Sequence, residues 1–122
     1  MKTQTTAQIL KQAYKLFKNG KNWIRGDYAH DAKGNEIGSE SPYAVKFCSV
    51  GAIEHLQLPA SASSAENSAF RILEDHLPED WTEITDFNDA DGWPPVKALW
   101  IKAIQTAEKL EKKRLDGKGK RK

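Results

Sequence analysis

The residues of this chain that most readily suggest chemistry are one cysteine, three histidines and an Asn-Asp pair. Cys48 lies in KFCSVGAIEHL, residues 46–56, with His55 on the same segment. His30 and His76 are remote in sequence, and Asn88-Asp89 falls within DFNDADG. A thiol nucleophile needs a microenvironment that stabilises thiolate, such as the free amides of a helix start. It also needs a base within hydrogen-bond reach. Ser41-Pro42 reads as a helix start, with Ser41 as N-cap and Pro42 in the first position. Cys48 then falls six residues after Pro42, where the helix dipole has faded. His55 would lie about 10.5 Å further along the axis. Only His30 or His76 could act as base, through a tertiary contact. Cys48, Ser49, Gly51 and Ala52 read more simply as a small-residue face for close packing, with the cysteine buried. The alternative is a thiol or polar-site enzyme built on Cys48, His30, Asn88 and Asp89.

Asn88-Asp89 admits two readings. Short polar side chains bond to nearby backbone amides, so the pair can shape the turn into the last helix. It can also form a binding site with Trp23 and Asp31. No metal is expected. One cysteine and three scattered histidines lack zinc spacing. A calcium loop starting at Asp86 would have Ala90 fifth and Lys97 twelfth, where an EF-hand needs an oxygen ligand and a glutamate. No glycine-rich phosphate loop or G-x-S-x-G elbow occurs, so no cofactor is expected.

These residues need elements to position them. Thr5 and Gln8 form a capping box ahead of Ile9, Leu10, Ala13, Leu16 and Phe17 at helical spacing, and Asn19-Gly20 stops the helix. Residues 22–41 read as an irregular hairpin or ordered loop, with a turn at Asp31 to Asn35. The second helix has Val45, Cys48, Ser49, Ala52, Ile53 and Leu56 on its inner face and ends at Pro59. A third begins with a Ser63/Glu66 capping box and ends at Pro78. Residues 79–93 read as turn-rich, anchored by Trp81, Ile84 and Phe87, whose spacing permits a turn of helix. The last helix starts near Pro94-Pro95 and carries a stripe from Val96 to Leu110. The fold class is mainly α with minor β: about four helices around one core, with a hairpin-like insertion between the first and second. Residues 1–111 form one domain and 112–122 a basic, disordered tail.

At 122 residues, 39% hydrophobic and 30% charged, the chain has a soluble, single-domain composition. No apolar run suits a bilayer span, no secretory signal is visible, and a lone cysteine fits a reducing cytoplasm. The net charge of +2 conceals segregation. Residues 1–22 hold five lysines and no acid, residues 72–96 eight carboxylates and no Lys or Arg, and residues 97–122 ten basic against three acidic residues. The favoured reading is attraction between basic ends and acidic middle within the fold. The other is a surface for an acidic or basic partner.

Taken in order, Trp23 with Gly26, Asp31 with Gly34, Cys48-x-x-Gly51-Ala52 and Phe87-Asn88-Asp89 resemble a family of small uncharacterised bacterial and phage proteins. Its members read W-x-x-G, D-x-x-G, W-C-x-x-G-A and W-N-D. The resemblance spans Ala7 to Ala107. Phe47 and Phe87 stand where the family usually has tryptophan, which keeps an aromatic. The resemblance implies a shared fold and a phage or prophage origin, and it brings no activity.

The leading expectation is a non-catalytic accessory protein of the bacterial cytoplasm that binds a macromolecular partner, a host protein, for example as an inhibitor of a host system. The enzyme alternative stands second. Third is a nonspecific nucleic-acid binder using Lys112, Lys113, Arg114, Lys118, Lys120, Arg121 and Lys122 against phosphates.

Overall fold

The computed structural model describes residues 4–120, with side chains through Lys113. The first helix, α1 (Thr6–Leu16), is closed at its start by the expected capping box: Thr5 Oγ1 accepts from Gln8 N–H while the Gln8 side chain accepts from Thr5 N–H. Its inner stripe, Ala7, Ile9, Leu10 and Ala13, is buried, and Phe17 follows it into the core. The chain leaves the helix through Lys18, Asn19 and Gly20, all at positive φ. This is the left-handed stop that Asn-Gly predicts.

The insertion is a two-stranded antiparallel ribbon. β1 (Ala29–His30) pairs with β2 (Lys46–Phe47) in the register Ala29↔Phe47, His30↔Lys46. The Asp31 turn joins the ribbon's first strand to its continuation. Asp31 Oδ1 accepts from the amides of Lys33 (2.9 Å) and Asn35 (3.0 Å). These backbone hydrogen bonds, Asn35 first, hold its carboxyl below the ordinary value. A depressed folded pKa means the turn is fully stabilised above the unfolded value, about 3.9, and loses that stabilisation as pH falls through the folded one. The protection of the Lys33 and Asn35 amides, measured by NMR as exchange relative to an unstructured chain at the same pH, is therefore expected to fall on acidification below that range. In Asp31→Ala that protection should be low at every pH.

The second helix begins later than Ser41-Pro42 predicts. Ser41 makes a turn instead, its Oγ accepting from Tyr43 N–H at 3.0 Å. Residues 45–48 are then taken up by the ribbon: Val45 N–H donates to His30 C=O (2.9 Å) and Cys48 N–H to Tyr28 C=O (3.1 Å). On its other side Phe47 exchanges hydrogen bonds with Asn22 (2.8 Å) and Ile24 (3.0 Å). This pairing with distant backbone outweighs the local helix-start signal. It leaves Val45 exposed rather than in the core, and α2 runs only over Ser49–His55.

A 3-10 turn at Ala60–Ala62 feeds directly into α3 (Ser63–Asp75). Because Ser63 N–H already donates to Ala60 C=O, the predicted Ser63/Glu66 capping box does not form and no side chain caps the helix. Trp81, Ile84 and Phe87 do more than anchor a turn, since Ile84–Ala90 is a two-turn helix, α4. The last helix, α5, spans Trp93–Lys120. Its helical backbone continues beyond Leu110 through the segment expected to be a disordered tail. The Glu-Lys-Lys-Arg-Leu run there consists of good helix formers. Arg121 and Lys122 lie outside the described residues.

The fold is mainly helical with a minor two-stranded sheet, as expected, and has a fifth helix. α1, α3 and α5 pack on one another, and α2 and α4 close the remaining side. Phe17 and Trp100 sit at the centre, both at 0% exposure, with ring centroids 5.3 Å apart in an edge-on arrangement. Among the described residues, no helix is long and apolar enough to cross a membrane.

Candidate functional site

Cys48 is the N-cap of α2, in extended conformation (φ −80, ψ 178), and not a mid-helix residue. Its Sγ accepts from Gly51 N–H at 3.3 Å, taking the place a serine oxygen usually fills. Proximity to the helix start would favour thiolate, yet the side chain is only 3% exposed. Burial pushes the thiol's pKa up, the Gly51 and Val50 amides pull it partly back, and Asp89 and Glu54 push it further up. Desolvation dominates, so the sulfur is held as a neutral thiol. Among the hydrogen bonds of the described residues, none joins Cys48 to a histidine. His30 Nε2 is 2.8 Å from Asp27 Oδ2, His55 Nδ1 donates to Ser39 C=O (2.8 Å), and His76 Nε2 meets Thr106 Oγ1 (2.6 Å).

This arrangement predicts that native Cys48 reacts slowly with a soluble aromatic disulfide and rapidly in denaturant. Fast native labelling, with a rate midpoint below pH 8, would contradict burial as the controlling effect. The raised pKa carries a linkage sign: stability from the neutral thiol is complete below the unfolded value, about 8.5, and declines as pH rises through it towards the folded value. Cys48→Ala is expected to cost on the order of 1 kcal/mol and to flatten that alkaline decline.

Asn88 and Asp89 lie inside α4, not in a turn before the last helix, and Asn88 is buried at 1% exposure. Three donors converge on Asn88 Oδ1: Trp23 Nε1–H (2.8 Å), Ser49 N–H (3.0 Å) and Ser49 Oγ–H (2.8 Å). Its Nδ2 donates to Ile24 C=O and to Asp89 Oδ1, each at 3.0 Å. Ser49 Oγ in turn accepts from Trp100 Nε1–H at 3.0 Å, and Asp89 Oδ1 accepts from Gly26 N–H at 3.0 Å. One side chain thus ties the segment after α1, the start of α2, α4 and α5 together. Every donor and acceptor of the Asn88 amide is used inside the protein. It orients no outside group, and its chemistry is that of a fully satisfied buried network.

Of the residues read from sequence as a binding set, Trp23, Asn88 and Asp89 do meet. Asp31 does not join them, since its carboxylate bonds within its own turn. Of the enzyme set, Cys48 and Asp89 both line a small cleft of about 120 Å³, with Asp27, Tyr28, Glu36 and Thr85. His30 reaches that cleft only through Asp27. Sequence reasoning missed Ser49 and Trp100 as network members. The available signal was a hydroxyl on an otherwise apolar small-residue face. Among the described residues, no group of His, Cys, Asp or Glu side chains could hold a metal ion.

Among the described residues, the expected attraction between basic ends and acidic middle does not take the form of ion pairs. Among the described residues the salt bridges are Lys11–Glu108, between α1 and α5, and His30–Asp27. The eight carboxylates from Glu74 to Asp91 are all exposed and join neither. Lys112 and Lys113 are exposed on α5. Arg114, Lys118 and Lys120 continue its backbone.

A larger concavity lies elsewhere. α3, α5 and the start of α1 enclose an open groove of about 760 Å³. Ala65, Ile72, Ala107 and Leu110 supply apolar lining, Ser61, Ser64 and Ser68 form a hydroxyl row, and Arg71, Asp75, Glu111 and Lys113 bring charge. Leu110 is 50% exposed there. The groove is rigidly framed: Thr6 Oγ1 donates to Ala65 C=O at 3.3 Å, and Glu111 Oε2 accepts from Ala7 N–H at 2.8 Å. The sequence signal was SASSAENS, with its small residues recurring along one helix face.

No curated protein and no solved structure matches the chain significantly. A family model does: it matches residues 1–106, the globular body just described, and the chain belongs to that family, a family of unknown function designated DUF6197.

Proposed function

We propose that this chain is a non-catalytic accessory protein that acts by binding another protein, and that the groove between α3 and α5 is where it does so. The observation that carries the reading is the groove itself: a preformed, partly apolar concavity with a half-exposed leucine, Leu110, at its edge. Concave apolar surface with a few placed polar groups is the usual form of a binding site. Cys48 and Asn88, by contrast, are committed to the interior. The phage or prophage origin suggested by the sequence would make a host protein the partner and inhibition of a host system the outcome.

Capture from a bacterial lysate over a range of salt tests this, provided wild type is compared with Ser68→Arg. Position 68 is exposed on α3, so the substitution fills the groove without disturbing the core. A protein retained saturably by wild type and lost with Ser68→Arg supports the proposal. Capture of nothing, or of proteins indifferent to the substitution, removes its support.

A further inference from the structure

The groove's shape and charge narrow the class of partner. The wall formed by the 3-10 turn and α3 extends from Ser61 to Asp75, about 21 Å, the length of nearly four turns of an occupant helix. Both walls are helices whose backbone groups are paired internally, so they offer no strand edge for an extended peptide to join. An occupant must satisfy its own amides and carbonyls, which a helix does. Ser61, Ser64 and Ser68 are small and recur three and four residues apart, so an incoming helix can approach α3 closely. The apolar lining at Ala65, Ile72, Ala107 and Leu110 suits an amphipathic face better than a phosphate backbone.

The charges are polarised along this axis. Three contacts fix the ends: at one, Thr6 bonds Ala65 of α3 and Ala7 bonds Glu111 of α5; at the other, His76 meets Thr106. α3 and α5 therefore run antiparallel, with Lys113 near the Ser61 end and Asp75 at the other. Arg71 lies one turn from Asp75 on the same wall. The Glu111 carboxylate is engaged by α1, while Lys109 and Lys112 are exposed on the same turns of α5. The Ser61 end thus carries the cationic excess, while Arg71 and Asp75 offset each other at the other end. A helix entering with its C-terminus towards Lys113 has its dipole matched at that end. The end of α5 from a second copy is itself basic and would meet like charge.

We infer that the groove docks an amphipathic helix of a partner protein, about four turns long, with its apolar seam on Ala65, Ile72, Ala107 and Leu110 and carboxylates in its C-terminal half. This rests on the protein-binding reading above and adds the occupant's chemistry and direction. The test is selection on the full chain from a displayed library of helical peptides of about 16 residues, with a fixed leucine seam and randomised flanks. Enriched peptides should be acidic in their C-terminal half. They should lose about tenfold in affinity, roughly 1.4 kcal/mol, against Ser68→Arg and again against Lys113→Glu. Reversing the peptide's acids to lysine should restore binding to Lys113→Glu. Enrichment of nothing, enrichment without acidic bias, or binding indifferent to Ser68→Arg overturns the inference. So does tighter groove-dependent binding of a short DNA duplex. If peptide selection fails while lysate capture stays sensitive to Ser68→Arg, the helix is wrong and protein binding stands. If capture is insensitive too, both fall.

Discussion

Asn88→Leu is expected to lower the unfolding free energy by about 4 kcal/mol, a large part of the 5–15 kcal/mol typical of a domain. Leucine matches asparagine in size but can neither accept nor donate. The Ser49 amide, 1% exposed as part of its residue, then has no acceptor. Trp23 Nε1–H and Ile24 C=O also lose their partners. Each buried orphan costs about 1–3 kcal/mol, with the half-buried Trp23 and Ile24 groups at the low end. The apolar gain of leucine offsets only part of this. Asn88→Asp makes an informative contrast. It preserves the acceptor for Trp23 and Ser49 but loses the donors and places a charge beside Asp89, so its stability should fall as pH rises through the new carboxyl's raised pKa. Urea unfolding of the two variants measures both effects. A loss below about 1 kcal/mol for Asn88→Leu would show that the network is a bystander to the fold.

Gly51→Ala should be nearly as damaging, although alanine is the better helix former. In the first turn of α2, replacing glycine gains about 0.5–1 kcal/mol from backbone entropy. Against that, a Cβ at Gly51 would stand 2.0 Å from the carbonyl oxygen of Tyr28 and 2.9 Å from its carbon. The obstacle is backbone, so no rotamer change relieves it. α2 must part from the ribbon, breaking the Cys48 N–H to Tyr28 C=O bond of 3.1 Å. A net loss of about 3 kcal/mol is expected, the upper end for overpacking. A melting temperature equal to wild type would mean that the ribbon moves freely against α2.

The two variants also explain what could be read in advance. α1, α3 and α5 were legible because their apolar residues recur at helical spacing, a property of the segment alone. The start of α2 was not. Ser41-Pro42 is a strong local signal, and what overrode it was pairing of residues 45–48 with Tyr28, His30, Asn22 and Ile24. α4 was blurred because its apolar side chains are few and its gaps acidic. The sequence groups Trp23, Asn88 and Asp89, which do meet, but the turn it suggests for Asn88-Asp89 is a helix, α4. Whether an asparagine is open or saturated depends on donors from Ser49 and Trp23, which lie 39 and 65 residues from it. The groove was hidden for a related reason. Each wall is legible, but a concavity belongs to the angle between walls.

The α1–α5 pairing sets the order of events during synthesis. The amide of Ala7 is satisfied by Glu111, 104 residues later, and the core around Phe17 is completed by Trp93 and Trp100. At translation rates of about 5–20 residues per second, α1 emerges from the ribosome several seconds before its packing partner exists. During that interval α2 and α3 can cover only part of α1, and the side of Phe17 that meets Trp93 and Trp100 stays open. Burial of that apolar face is therefore expected to coincide with the appearance of Trp100 and Ala107 rather than with the completion of any earlier helix.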